Sequence, residues 1–373
     1  MTRIGVVGGY GAVGRAAVRL LGREYSGPLR VGGRSVERAV AVVREDLGGA
    51  GEAQAVDVYD PVALADFCRG CDLVVNASGA SYQVLDRVAV AAFAAGADYV
   101  DAGGDEPLHD RLTAADPAAS GRRALVTAGM MPGLTGLLPR LLATTVPQPR
   151  ELTAYVGVMD RLTPQGAVDY LLSLGDREAE SRAAWLGGRL VPRALPPLAD
   201  VHLPRFPGPV SAFPYLGYEA RRLAVDLGLD TVRWYSVFDG GTHMMSTLSR
   251  HQGAMSGVGD LSEAARELAA AADLDLFGRE PYQLIVQQLT GSDGSVRSVV
   301  VRSADTSALT GTVLGLAALQ VLERRVPVGA HYAAEALDPP ALVDALTTTG
   351  VLTGFELLDG PVDIPEPVEE GAL

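Results

Sequence analysis

Short apolar runs alternate with amphipathic stretches through the first third of the chain. In the amphipathic stretches apolar residues recur every three or four positions, which is typical of helices packed on one face. The predicted strands are residues 4–7, 29–31, 53–56, 73–76, 99–100 and 124–127. The predicted helices are residues 13–23, 36–47, 61–69, 84–95 and 107–119. This alternation predicts right-handed βαβ units and an α/β Rossmann domain with a doubly wound parallel sheet.

The pattern changes after Pro132-Gly133, where longer strand-like runs appear. The predicted strands of this part are residues 153–158, 232–238, 283–289 and 295–302, the last two joined by a hairpin turn. The proline-rich stretch 196–214 is expected to be an extended connection, and helices are expected at 309–322 and 339–347. We predict a Rossmann domain from residues 1–133 and 308–373, and an α+β second domain from residues 134–307 with a mixed or antiparallel sheet.

A glycine turn separates the first predicted strand from the first predicted helix. Gly9, Gly11 and Gly14 have G-x-G-x-x-G spacing, which lets a pyrophosphate approach the backbone and the helix N-terminus. The alternative is a tight strand–helix corner with no ligand, and the βαβ units that follow argue against it. The predicted contacts of the dinucleotide here are Gly9, Tyr10, Gly11, Ala12, Val13 and Gly14.

The end of the second strand predicts which dinucleotide is bound. NAD-binding domains usually place an acidic residue there to hold the ribose 2′-hydroxyl. This chain instead has Gly32-Gly33-Arg34-Ser35, and Arg34 and Ser35 are suited to a 2′-phosphate. We therefore predict NADP(H) as the cofactor. The alternative is a purely structural role, in which Ser35 caps the next helix and Arg34 is a solvated surface residue.

Small and polar residues follow the remaining strands, at the edge where open α/β sheets bind ligands. Asp57 is predicted to lie near the adenine or, equally, to be a turn aspartate. The residues predicted to approach the nicotinamide half are Ala77, Ser78, Gly79, Ala102 and Gly103.

Composition excludes several functions. The 31 basic residues are all arginines, so no lysine is present for Schiff-base or phosphate-loop chemistry. A net charge of −14 argues against nucleic acid and anionic membranes as partners.

We expect a soluble cytoplasmic protein without leader or membrane span. Cys68 and Cys71 have redox-pair spacing, but their place between a helix and a strand favours two small apolar residues, and no metal site is predicted.

Several segments, taken in order, resemble the saccharopine dehydrogenase family. They are residues 8–14, 33–35, 74–79, 95–101 and 129–134, all within roughly the first third of the chain. The resemblance implies a nicotinamide-dependent oxidoreductase that acts on a carbon–nitrogen bond. It also implies a second domain followed by a carboxy-terminal return to the first.

Three residues are candidates for proton transfer or substrate contact. His243 lies in a glycine-flanked loop after a predicted strand, and its intrinsic pKa suits proton exchange; the alternative is a loop histidine without a role. Tyr82 follows the loop expected beside the nicotinamide. Asp101 ends a strand at the same edge, where it could orient the carboxamide or take a proton; the alternative is a helix cap or a salt-bridge partner.

The sequence thus predicts an NADP(H)-dependent reductase of an imine, or dehydrogenase of a secondary amine, with a small carboxylate-bearing substrate. A homodimer formed through the second domain is also expected. Two alternatives stay open, namely a protein that binds NADP(H) without catalysis, and an oxidoreductase that acts on a carbonyl.

Overall fold

The first sheet has seven parallel strands. The computed structural model describes residues 2–174, 179–251 and 261–362. The strands are β1 (Ile4–Val7), β2 (Leu29–Gly33), β3 (Glu52–Ala55), β4 (Leu73–Asn76), β5 (Asp98–Asp101), β6 (Arg123–Val126) and, much later in the chain, β16 (Gly329–Tyr332). Their order is β16-β6-β5-β4-β1-β2-β3. The six strands expected in the first third are therefore confirmed, as is the doubly wound fold class.

Helices join these strands and cover both faces of the sheet. They are α1 (Ala12–Glu24), α2 (Val36–Asp46), α3 (Pro61–Cys68), α4 (Ser81–Val84), α5 (Arg87–Ala94) and α6 (Asp105–Ala114). The helix expected over 84–95 is broken, because Leu85 adopts a φ of +50° between α4 and α5. β1 and β4 are buried at every position and pair with each other. The strand order reverses beside β1, which places the ligand edge of the sheet there.

The second sheet is mixed and has ten strands. Its strands are β7 (Pro149–Met159), β8 (Ala179–Ser181), β9 (Ala184–Leu186), β10 (Arg189–Val191), β11 (Leu198–His202), β12 (Pro209–Gly217), β13 (Thr231–Phe238), β14 (Tyr282–Gly291), β15 (Val296–Ser303) and β17 (Leu352–Leu358). β7 and β13 pair in parallel, whereas β14 and β15 form the expected antiparallel hairpin.

The helices of this half are α7 (Leu134–Ala143), α8 (Pro164–Ser173), α9 (Tyr218–Asp226), α10 (Thr242–Arg250) and α11 (Leu261–Leu276). The carboxy-terminal part adds α12 (Thr306–Leu322), α13 (Ala333–Ala336) and α14 (Pro339–Thr348). α12 packs against α1 at Gly311, where an added Cβ atom would lie 2.2 Å from the backbone oxygen of Val13. This contact joins the end of the chain to the first sheet.

Two expectations about the second half need correction. The stretch 196–214 contains β11 and most of β12, because alternate residues of β12 are buried and its period-two pattern outweighs its prolines. The last strand, β17, pairs with β15 in the second sheet and does not return to the first. The proposed domain boundaries stay a prediction, and residues 363–373 lie outside the described part of the chain.

Candidate functional site

The turn between β1 and α1 has positions at which no side chain fits. A Cβ atom at Gly14 would lie 2.2 Å from the carbonyl oxygen of Gly8. Gly8 has a φ of +76°, and a Cβ atom there would lie 2.7 Å from the backbone of Ala77. The turn therefore packs tightly on itself and on the loop that follows β4.

The N-terminus of α1 is open toward the ligand edge. Gly11 is the residue that precedes the helix, and it has no side chain to accept a hydrogen bond from the first turn. A Cβ atom at Gly11 would meet only the Gly8 oxygen, at 3.2 Å. The free N–H groups of a first helical turn bind anions, so the turn fits the pyrophosphate of a dinucleotide.

Tyr10 covers the end of β2, where the adenosine ribose of a dinucleotide is expected. Its hydroxyl accepts a hydrogen bond from the Ser35 amide at 3.1 Å. The Arg38 guanidinium lies over its ring, 4.3 Å from the centroid. A Cβ atom at Gly33 would lie 2.3 Å from the same ring, so the glycine makes room for the tyrosine.

Two arginines flank this end of the site. Arg34 is exposed directly after β2, and Arg38 lies one helical turn later. Ser35 caps α2 by accepting from the Arg38 amide, and its hydroxyl donates to Glu37 at 2.8 Å. The Ser35 hydroxyl has one proton, so it donates to a phosphate only by exchanging Glu37 for a phosphate oxygen.

Asp57 has the geometry of a turn residue. Its carboxylate accepts a hydrogen bond from the Tyr59 amide at 3.0 Å. Its side chain is half-buried after β3, at the edge of the sheet. Its contact with the adenine remains a prediction.

A buried polar network holds the loops that follow β4 and β5. The Asn76 amide donates to the Asp101 carboxylate at 2.8 Å, and its oxygen accepts from the Ser78 hydroxyl at 2.6 Å. The Asp101 carboxylate also accepts from the Tyr99 hydroxyl and from the Gly103 amide. Ser78 and Gly103 are thus held in place by the side chains of Asn76 and Asp101, which end their strands.

Asp101 lies inside this network, with 3% of its surface exposed. Burial raises the pKa of its carboxyl, and the hydrogen bonds from Tyr99, Asn76 and Gly103 oppose that shift. The three donors occupy its oxygens. These contacts show that Asp101 holds the loops after β4 and β5 in place. A role for Asp101 in proton transfer stays a prediction.

Helix α8, from the half of the chain that forms the second sheet, reaches the same loops. Its Asp169 carboxylate accepts from the Ser81 hydroxyl at 3.2 Å and from the backbone N–H groups of Ser81 and Tyr82. The Gln165 amide donates to the Gly79 carbonyl at 3.3 Å. Tyr82 is therefore held, through its backbone, by a residue outside the first sheet.

Glu219 makes a second contact with a segment at the ligand edge of the first sheet. Its carboxylate, on α9, accepts from the Gly133 amide and the Thr135 hydroxyl, both at 2.6 Å. These donors lie at the start of α7, after the loop that follows β6. Burial raises the pKa of Glu219, and the two hydrogen bonds oppose that shift.

His243 lies at the start of α10, apart from the buried network. Its Nδ1 atom is 2.8 Å from an Asp275 oxygen, and the same carboxylate accepts from the His243 and Met244 amides. Its side chain is 56% exposed, which leaves Nε2 accessible. α10 packs with α8 and α11 in an apolar cluster that includes Ala80 of the loop after β4.

Cys68 and Cys71 are both buried and unbonded to each other. Burial raises the pKa of the Cys68 thiol to about 12, which suppresses the reactive thiolate.

In the described ranges, His, Cys, Asp and Glu form no group of three that could hold a metal ion. Within the same ranges no helix has the length and apolarity needed to cross a membrane.

Sequence reasoning missed Arg38, Asp169 and Glu219. Arg38 could have been found from its spacing of one helical turn after Arg34. Asp169 and Glu219 lie on amphipathic helices of the second half, and nothing local in the sequence indicates that they contact strand-end loops more than eighty residues away.

The chain is similar to known dehydrogenases. Residues 4–128 match the family described as the saccharopine dehydrogenase NADP binding domain. The structure is similar to apo saccharopine dehydrogenase (L-Glu forming) from Saccharomyces cerevisiae, with a TM-score of 0.67, 14% identity, and 96% of this chain and 100% of that chain covered. A dehydrogenase from Chromobacterium violaceum matches at a TM-score of 0.46 and 10% identity, over 93% and 94% of the two chains.

No curated protein matches the sequence. The family match confirms the predicted resemblance for the first domain and confirms NADP(H) as the cofactor. The likeness to the yeast enzyme extends over both halves and shows the fold.

Proposed function

Residues 4–128 match the family described as the saccharopine dehydrogenase NADP binding domain, and from that match we propose that the chain is an NADP(H)-dependent oxidoreductase acting on a carbon–nitrogen bond. The proposed reaction is reduction of an imine, or oxidation of a secondary amine, in a small carboxylate-bearing biosynthetic intermediate. NADPH, when bound, supplies the hydride, and the protein supplies position and a proton.

The observation that carries the proposal is the turn at 8–14 together with the end of β2. The glycines leave room for a pyrophosphate at the uncapped N-terminus of α1. β2 ends in Gly33 and is followed by Arg34 and Ser35, so the strand end itself carries no carboxylate, and the nearby Glu37 carboxylate is bound to the Ser35 hydroxyl at 2.8 Å. Arg34 and Arg38 are proposed to bind that phosphate.

His243 is proposed to exchange a proton with the substrate nitrogen. Its Nδ1 contact with Asp275 fixes the ring and leaves Nε2 as the exchanging atom. His243 and Arg250 line one groove of about 420 Å³ between α10 and α11. Arg250 pairs with Glu267 of the same groove at 2.9 Å, so the proposed substrate carboxylate would take the place of that glutamate. Tyr82 is proposed to contact the substrate from the first sheet.

The test is consumption of NADPH with imines formed from 2-oxo acids and amines. We expect His243→Ala to lower turnover by about 100-fold or more, the usual effect of losing a proton-transfer group, with little change in NADPH affinity. His202→Ala is the control, because His202 is exposed at the end of β11 and is not one of the residues that line this groove.

Unchanged turnover in His243→Ala would remove His243 from the mechanism. NADPH binding without turnover of any imine, amine or carbonyl would favour a non-catalytic NADP(H)-binding protein. The homodimer through the second sheet and the cytoplasmic location also stay proposals.

A further inference from the structure

A carboxylate from outside the first sheet caps the short helix at the nicotinamide end of the proposed site. α4 is preceded by Ala80, which has no side chain able to accept from the first turn. The Asp169 carboxylate takes that place, with donors from the Ser81 hydroxyl and the N–H groups of Ser81 and Tyr82. An N-cap of this kind fixes both the start of a helix and the path of the chain entering it.

The loop capped in this way also touches the glycine turn. A Cβ atom at Gly8 would lie 2.7 Å from the carbonyl group of Ala77, so turn and loop are in close backbone contact. At the other end of the loop, a Cβ atom at Gly79 would lie 3.3 Å from an Asp169 oxygen. A continuous line of contacts therefore runs from α8 through loop 77–82 to the turn where the pyrophosphate is proposed to bind.

We propose that Asp169 is a positioning residue that fastens α8 onto loop 77–82 and thereby sets both NADP(H) affinity and the orientation of Tyr82. The part that concerns NADP(H) rests on the function proposed above. Gln165 reinforces the contact through its bond to the Gly79 carbonyl.

The surroundings of Asp169 make this contact sensitive to pH. Burial raises the pKa of the Asp169 carboxyl to about 6, from an ordinary 3.8, and the charge of Asp101 on β5 adds to the shift. The residues of α11 in the apolar cluster with α8 are Ala264, Ala265, Leu268 and the partly buried Leu261. From α4, the Ser81 hydroxyl and the Ser81 and Tyr82 amides favour the ionised form and limit the shift.

The sign of the effect follows from linkage. The docked carboxyl has the higher pKa, so docking is strongest when Asp169 is protonated and weakens as pH rises through the range from about 4 to 6. Acid is therefore expected to tighten this contact, although most buried carboxylate contacts loosen in acid because their pKa values are lowered.

Hydrogen exchange of the cofactor-free protein tests the proposal without relying on its activity. After correction for intrinsic rates, protection of the amides in residues 77–84 should fall about tenfold between pH 5 and pH 8 in the wild type. In Asp169→Asn, which keeps the shape and an acceptor oxygen, protection should not change over that range. Asp66→Asn, at an exposed position on α3, should behave as the wild type.

A second measurement tests positioning of the cofactor. Asp169→Ala should weaken NADPH binding about fivefold or more, through lost hydrogen bonds to the loop, and Asp169→Asn should restore most of it. Two results would overturn the proposal. One is an Asp169→Asn variant whose protection equals that of the wild type and still falls between pH 5 and pH 8. The other is a wild type whose protection does not change over that range. If the wild type binds no NADPH, the proposed function fails, whereas the exchange result still decides whether Asp169 fastens the loop.

Discussion

Gly11 and Gly14 lie in one turn but have different neighbours. Gly14 faces the backbone of Gly8, so a side chain there displaces the chain itself. Gly11 has an ordinary φ of −69° and faces mostly open space. One glycine is thus required by the fold, and the other by whatever occupies the space beyond the turn.

This difference yields a paired prediction. Gly11→Val should abolish NADPH binding, because its side chain would occupy the place of the pyrophosphate, while the midpoint of thermal unfolding stays near that of the wild type. Gly14→Ala should lower that midpoint, because its Cβ atom would clash with the Gly8 carbonyl. Normal NADPH affinity in Gly11→Val would contradict the assignment of the turn.

At this scale the sequence predicts contacts that are local. The glycine spacing and the absence of a carboxylate at the end of β2 could be read directly, since each depends on residues a few positions apart. Asp169 and Glu219 could not, because the loops they hold come close only after both halves have folded. Asp101 could be placed at the correct edge, but its burial among Asn76, Tyr99 and Gly103 depends on strand pairing.

Among the elements, α12 shows most clearly how backbone contact joins distant parts of the chain. Gly311 and Gly315 lie on its face toward α1, where added Cβ atoms would come within 2.2 Å of Val13 and 2.5 Å of Leu20. Helices packed this closely leave no space for a methyl group at Gly311. The fixed position of α1 matters for the site, because its N-terminus faces the proposed pyrophosphate position.

We expect Gly311→Ala to destabilise the protein by roughly 1–3 kcal/mol, the usual cost of overpacking. Gly22→Ala is the matched control. It also adds a methyl group to a helix, but the nearest atom is the end of the Leu47 side chain, which can move. Equal urea midpoints for Gly311→Ala and the wild type would show that α12 is not fixed against α1.

Elements with strong periodicity are the ones that sequence predicts well. The six strands and the hairpin of β14 and β15 follow clear apolar patterns. β11 and β12 were missed because proline argues against strands, whereas Pro214 is accommodated opposite Tyr235. The break between α4 and α5 was missed because nothing in the apolar pattern marks Leu85 as a turn.

On the scale of the molecule, two sheets are joined at the loops where the cofactor is proposed to bind. Asp169 holds the loop after β4, and Glu219 holds the segment after β6. Both links therefore act on the ligand edge of the first sheet. The fold shared with the yeast saccharopine dehydrogenase covers both halves, so the second half is part of the same architecture.

Calorimetric titration with NADPH and with NADH tests whether the end of β2 binds a 2′-phosphate. We expect tight binding of NADPH and much weaker binding of NADH. Arg34→Ala should weaken NADPH binding roughly tenfold to a hundredfold, through loss of a charge-assisted bond, and leave NADH nearly unchanged. Equal affinities for the two nucleotides, or an equal loss of both in Arg34→Ala, would contradict the proposed 2′-phosphate site.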